Sequence, residues 1–206
     1  AATFEVFIQL GAILAVVILY RHRFFGLVSK DSTGIAGVRG MYLLALTTLP
    51  ALLVGFFLHS FIKNVLFSPV VVAIGLLLGG ITLIAMERLY RPAKEIEIEA
   101  ISKPQAFKVG LFQLLALSPG VSRSGATIVG GRLSGLSRSA ALEYSFLAAV
   151  PVMVAAVSYD LFKSLPQLSG SDIGIFAVGF MSAFLSALLA ITFFLRLVQR
   201  FGLEPF

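Results

Sequence analysis

The residues best suited to chemistry stand in one run, Ser118-Pro119-Gly120-Val121-Ser122-Arg123-Ser124-Gly125-Ala126-Thr127. Arg123 carries a planar fork of N–H donors that is charged at any physiological pH and matches a phosphate or a carboxylate. Ser122, Ser124 and Thr127 add hydroxyl donors around it. Gly120 and Gly125 let the backbone approach a ligand closely. A helix is expected to open at about Ala126, so that the amides of Gly125, Ala126 and Thr127 offer free donors and a positive dipole end. The ligand this set predicts is an anion, and a phosphate fits it best.

Missing partners narrow the chemistry. There is no Gly-x-x-x-x-Gly-Lys-Ser/Thr loop, which excludes a P-loop nucleotide hydrolase. Lipid phosphatases with a histidine nucleophile need a His soon after their Ser-Arg element, whereas Ile128-Val129-Gly130-Gly131 follows here. The two histidines, His22 and His59, lie far along the chain and read as solvated residues at span ends. With no Cys there is no thiolate nucleophile, disulfide framework or Cys-based metal site. Glu87, Glu95, Glu97 and Glu99 alternate with Arg88, Arg91 and Lys94, which reads as a solvated charge run rather than a metal site.

The elements that must hold Arg123 are membrane helices. Of 206 residues, 58% are hydrophobic and 13% charged, with a mean hydropathy of +0.99. A soluble domain carries about 25% charged residues, so soluble enzymes and disordered chains are excluded. Spans of about 20 apolar residues fall at Thr3–Tyr20, Met41–Leu58, Val70–Met86, Ala140–Tyr159 and Ile173–Leu197, forming a single all-α transmembrane domain. Pro104–Ser137 fits no span. Its apolar run Ala106–Leu117 carries Lys108, a Ser/Gly-rich break covers Ser118–Gly125, and a second short helix covers Ala126–Leu136. Two short helices around a polar break predict a re-entrant hairpin. All basic residues except Lys63, Lys163 and the tip's Arg123 then fall on one side of the membrane. The positive-inside rule makes that side cytoplasmic, which accounts for the +6 net charge without nucleic acid.

An internal repeat is also legible. One shift sets Thr3-Phe4-Glu5-Val6-Phe7-Ile8-Gln9-Leu10 against Ala141-Leu142-Glu143-Tyr144-Ser145-Phe146-Leu147-Ala148, each an apolar helix with one Glu near its start. An odd number of crossings separates them, as in an inverted-topology repeat. The pattern predicts a further hairpin before Ala1 and a further helix after Phe206. Glu5 and Glu143 suit helix N-termini, where negative charge is favoured. Glu143 is the stronger candidate for function, because its helix directly follows the hairpin.

The run Pro119–Ile128 resembles the second signature of the undecaprenyl-diphosphate phosphatase family, also called BacA, and Thr3–Gly11 and Ala140–Leu147 agree with its flanks. The resemblance implies a bacterial inner-membrane phosphatase that converts C55 isoprenyl diphosphate to the monophosphate carrier of cell-wall precursors. It also implies two opposed re-entrant hairpins, a divalent cation such as Mg²⁺ or Ca²⁺, and resistance to bacitracin. It assigns Ser122, Arg123 and Thr127 to catalysis, with Gly120, Ser124, Gly125 and Ala126 forming the cradle that binds substrate, and Glu143 joins them as a substrate-binding candidate through its place after the hairpin. The family's first signature, with its Glu pair and His, is absent, so nucleophile, base and metal ligands are unassigned here. The residues alone leave two other readings open, a transporter of a phosphorylated isoprenyl lipid and an inactive part of the phosphatase. The sequence also leaves a homo-oligomer open.

Overall fold

A computed structural model of the chain describes residues 2–30, 33–90, 95–164, 173–203 and 205. Arg91 and Lys94 of the charge run lie outside the described residues, as do the side chains of Lys63 and Lys163. The first apolar run forms α1, Ala2–Leu19. At Tyr20 the backbone leaves the helical region, and the basic Arg21-His22-Arg23 starts a short α2, Arg21–Leu27, bent 84° from α1. Two arginines flanking a histidine cannot continue into hydrocarbon, so the chain turns where they begin.

Next come α3, Gly37–Phe61, a π turn at Ile62–Leu66, and α4, Pro69–Leu89. Ser68 caps α4 by accepting from the Val71 amide at 3.2 Å, and Pro69 stands at the first helical position, where its missing N–H costs nothing. A helical hairpin follows, made of α5, Lys103–Gln113, and α6, Arg123–Leu133. Ser102 and Gln105 form a capping box at the start of α5, and a 3-10 turn at Leu114–Leu117 leads into the break. The two feet of the hairpin are tied, Gln105 Nε2 donating to Ser134 O at 2.8 Å and Lys108 Nζ to Leu133 O at 3.1 Å. The last two helices are α7, Arg138–Ser164, and α8, Ile173–Phe201.

Five of these elements are apolar enough to cross a membrane if the bent α1–α2 pair counts as one span, and four if it does not. They sit on the expected apolar runs. α7 is the central helix, packing on α1, α3 and α6, with 56% of its apolar window buried. α3 also carries α5, and α1 also carries α8. The α3–α5 contact is close because of Gly110, where a Cβ would stand 2.7 Å from the Thr47 carbonyl oxygen. A buried network then locks α3, α5 and α7 together. Tyr144 donates its hydroxyl to Leu43 O at 3.0 Å, and Thr47 Oγ1 lies 2.7 Å from Tyr144 and 2.8 Å from Ala106 O.

The charge run does more than face solvent, which corrects the expectation from its alternation. Glu87 pairs with Arg138, and Glu95 with Arg132 at 2.7 Å. Ile96 exchanges backbone bonds with Gly135 and Ser137 at 2.9 Å each. The loop after α4 is thereby clamped to the foot of the hairpin and the start of α7. The physical reason is tertiary: the basic turn around Arg132–Arg138 comes back beside the acidic one.

Candidate functional site

The tip of the hairpin is residues 118–122, shorter than the Ser118–Gly125 break expected from sequence. α6 begins at Arg123 because Ser122 serves as its N-cap, accepting from the Gly125 amide at 3.1 Å. This moves the donors. The Gly125 amide is taken by Ser122 Oγ and the Ala126 amide by Ser122 O at 2.9 Å, so neither is free for an anion. The amides left open by the first turn are those of Arg123 and Ser124. The open amides expected at Gly125–Thr127 therefore lie two to three residues earlier.

Gly120 makes the turn. It has φ +89°, and a Cβ there would stand 2.2 Å from the Val72 carbonyl oxygen, so both backbone and neighbours demand glycine. The contact seats the tip against α4.

Helical phase splits the remaining side chains between two faces. Ser122, Gly125, Ala126 and Val129 face a groove beside α4. Arg123 and Thr127, four residues apart on one stripe, face α7. Arg123 Nη1 donates to Ser145 O at 3.2 Å. Thr127 Oγ1 lies 2.6 Å from Ser145 Oγ and donates to the carbonyl of Arg123 at 3.0 Å or of Ser124 at 3.1 Å. Thr127 and Ser145 are each only 1% exposed. A hydroxyl has one hydrogen, and with that of Thr127 given to the backbone, Ser145 donates to Thr127. Thr127 is thus a buried tie between α6 and α7, where the sequence had offered it as a donor to the ligand. Ser122 is the exposed hydroxyl, 3.1 Å from Ser124 Oγ.

Glu143 does not join this group. Its carboxylate takes Arg23 Nε at 2.7 Å, and Arg23 Nη1 also reaches Glu99 at 2.7 Å. Two positions along a helix put Glu143 and Ser145 on opposite faces. Burial alone would raise the Glu99 carboxyl, but the hydrogen bond from Arg23, a backbone bond and the arginine's charge hold it below the ordinary carboxylate value. Glu5 stands exposed in the first turn of α1, apart from the tip's contacts. Among the described residues no three His, Cys, Asp or Glu side chains converge on a metal-sized space.

Ser145 is the residue the sequence reading missed. Its one signal was the polar run Glu143-Tyr144-Ser145 inside an otherwise apolar span.

The fold and tip together define a polytopic helical membrane protein whose helical hairpin carries Arg123 with Ser122 and Ser124 at its tip. The chain belongs to the family described as bacitracin resistance protein BacA, whose profile matches residues 1–206. It is 51% identical over 208 residues to the undecaprenyl-diphosphatase of Desulfovibrio desulfuricans, a match that covers all of this chain and 78% of that protein. The proteins of the same name from Nitratidesulfovibrio vulgaris strain DP4 and Maridesulfovibrio salexigens are 50% and 47% identical over 207 residues, again with 100% of this chain and 78% of the relative covered.

Proposed function

We infer that this chain hydrolyses the terminal phosphate of undecaprenyl diphosphate, leaving the monophosphate carrier lipid of cell-wall synthesis. The observation that carries the reading is identity of about half across the whole chain with proteins named undecaprenyl-diphosphatase. In hydrolysis the bond from the terminal phosphorus to the bridging oxygen breaks, water supplies the new oxygen, and the lipid monophosphate leaves. Charge spreads over the non-bridging oxygens as this happens. Arg123 holds those oxygens with the guanidinium N–H groups not given to Ser145, and the Arg123 and Ser124 amides add the positive end of α6. Ser122, on the groove side, offers its exposed hydroxyl at the same helix N-terminus. Removal of a diphosphate from the membrane is also what the family's resistance name suggests, since bacitracin binds that lipid.

Several finer statements belong to this proposal. The protein lies in the bacterial plasma membrane with its basic loops cytoplasmic, and the hairpin enters and leaves on that side. The inverted repeat is supported by packing, because α1 lies on α8 as α7 lies on α3. That is the exchange expected if α1 corresponds to α7 and α3 to α8. Mg²⁺ or Ca²⁺ enters through the family resemblance. The described residues do not by themselves fit a metal site, and no step is routed through one. No acid, base or nucleophile is assigned to them either.

The test is phosphate release from C55 isoprenyl diphosphate by the protein in membranes. Release by the unaltered protein, lost in Arg123→Ala at equal expression, is the expected result. Lipid movement across vesicles without phosphate release would overturn it in favour of a transporter.

A further inference from the structure

A groove of about 680 Å³ runs between α3, α4 and the hairpin. Its walls include Phe61, Ile74, Leu78 and Leu115, and among the described residues no charged side chain lines it. Thr82 also borders it, but its hydroxyl is already given to Leu78 O at 2.7 Å. Only at the tip does the lining turn polar, with Ser118 and Ser122. We propose that this groove seats the isoprenyl tail of the lipid diphosphate, whose phosphates meet Ser122 and Arg123 at the tip. The inference rests on the diphosphatase reading above and names where the rest of that substrate lies.

Two observations support this occupant. The first is continuity: Ser122 both lines the groove and caps the helix whose first residue is Arg123, so a head group at the Ser122 hydroxyl and the open Arg123 and Ser124 amides stands at the polar end of the groove. The second is a pair of glycines in the middle of α4. Gly75 is needed for packing, since a Cβ there would stand 2.8 Å from Pro119 O. Gly79 and Gly80, one turn on, are not, because a Cβ on either would meet nothing within 4 Å. Glycine inside a helix is destabilising relative to alanine. Here it leaves room in the wall that can take the methyl branch each isoprene unit carries. Bilayer tails are as apolar as leucine, so the groove gains little by hydrophobic transfer. Its benefit is positional: a tail held in one line presents the diphosphate to Arg123 in register.

The probe is an isoprenyl diphosphate with a diazirine in its first isoprene units, irradiated with the protein in membranes and mapped by mass spectrometry. Adducts are expected on Ile74, Leu78 and Leu115. Unlabelled C55 diphosphate should compete for them and phosphatidylglycerol should not. Gly79→Leu, whose Cβ meets nothing within 4 Å and whose side chain extends from the groove wall, should abolish the adducts and lower kcat/KM for the C55 substrate about tenfold or more, the size of one misfitted methylene. Adducts confined to other helices, equal displacement by phosphatidylglycerol, or an unchanged kcat/KM in Gly79→Leu would each overturn the proposal. Phosphate release by the unaltered protein is measured in the same membranes. If phosphate is released while the label lands elsewhere, the groove falls and the diphosphatase reading stands. If none is released, that reading has failed first.

Discussion

Thr127 separates two pictures of the site, and its hydroxyl can be removed without changing its shape. In Thr127→Val the side chain keeps its volume but loses the bond to Ser145 at 2.6 Å and the bond to the backbone. Both partners are 1% exposed, so the Ser145 hydroxyl is left buried and must find another acceptor. A buried polar group left unsatisfied costs about 1–3 kcal/mol. For a protein of this length, each kcal/mol is worth roughly 2–4 °C in Tm. Ser145→Ala removes the same bond from the other end, so the two losses overlap. The double variant should fall short of the sum by roughly 1 kcal/mol, as expected for residues in contact. Activity should respond differently. Arg123 is held by the Ser145 carbonyl, which both variants retain. Phosphate release per folded molecule should therefore fall less than about tenfold, against about 10²–10³-fold for loss of a preorganised donor at a developing charge. The assay is phosphate release on C55 diphosphate beside thermal unfolding in the same detergent. A Thr127→Val protein of normal Tm that is as inactive as Arg123→Ala would refute the reasoning, and would make Thr127 a group that touches the substrate.

Arg123→Lys keeps the charge but loses the planar fork, so kcat should stay at least about 10²-fold down with KM less affected; near-normal kcat would make Arg123 a structural tie to α7. Glu143→Gln breaks the pair with Arg23 but leaves the tip untouched, so stability should drop by about 1 kcal/mol or less while turnover per folded molecule holds. A collapse of turnover without loss of stability would put Glu143 in the site. The Glu99–Arg23 pair has the sign of a depressed carboxyl: its stabilisation is present above the unfolded carboxylate pKa and is lost as pH falls through the lower folded value. Thermal stability measured down through the acid range should therefore decline less steeply in Glu99→Gln, and an unchanged slope would remove the pair from the account. Single cysteines at Ser29 and Ser102 should resist impermeant thiol reagents added from outside while one at Ser60 reacts; the reverse pattern would invert the topology. Ser169, a further outside position by sequence, lies outside the described residues.

What could be read from sequence here is what local chemistry decides. Apolar length marked the spans, and Ser118-Pro119-Gly120 marked a break in a segment too short and too polar to cross. The start of α6 was missed because a run of Ser and Gly looks like loop throughout, although Ser122 three residues before Gly125 is an ordinary N-cap placement. The 84° bend after α1 was half visible. Arg21-His22-Arg23 ends the apolar run, but nothing in those residues says that helix resumes at an angle.

The site itself depends on phase and on distant partners. Arg123 and Thr127 share a stripe on α6, and Ser122, Gly125, Ala126 and Val129 share another, as spacing alone dictates. Which stripe meets α7 and which lines an open groove is fixed only when Gly120 seats the tip on α4 and Gly110 brings α5 down onto α3. Glu143 was drawn toward the cradle by its place in the chain, yet its partner Arg23 lies 120 residues away and on the other face of α7. The same packing that gives Arg123 its hold on Ser145 O thus engages Thr127 with Ser145 and Glu143 with Arg23. What remains at the tip is a charged fork, two open amides and one exposed hydroxyl, at the end of a groove lined with hydrocarbon. A ligand with a small, highly charged head on a long branched apolar tail answers both halves of that description.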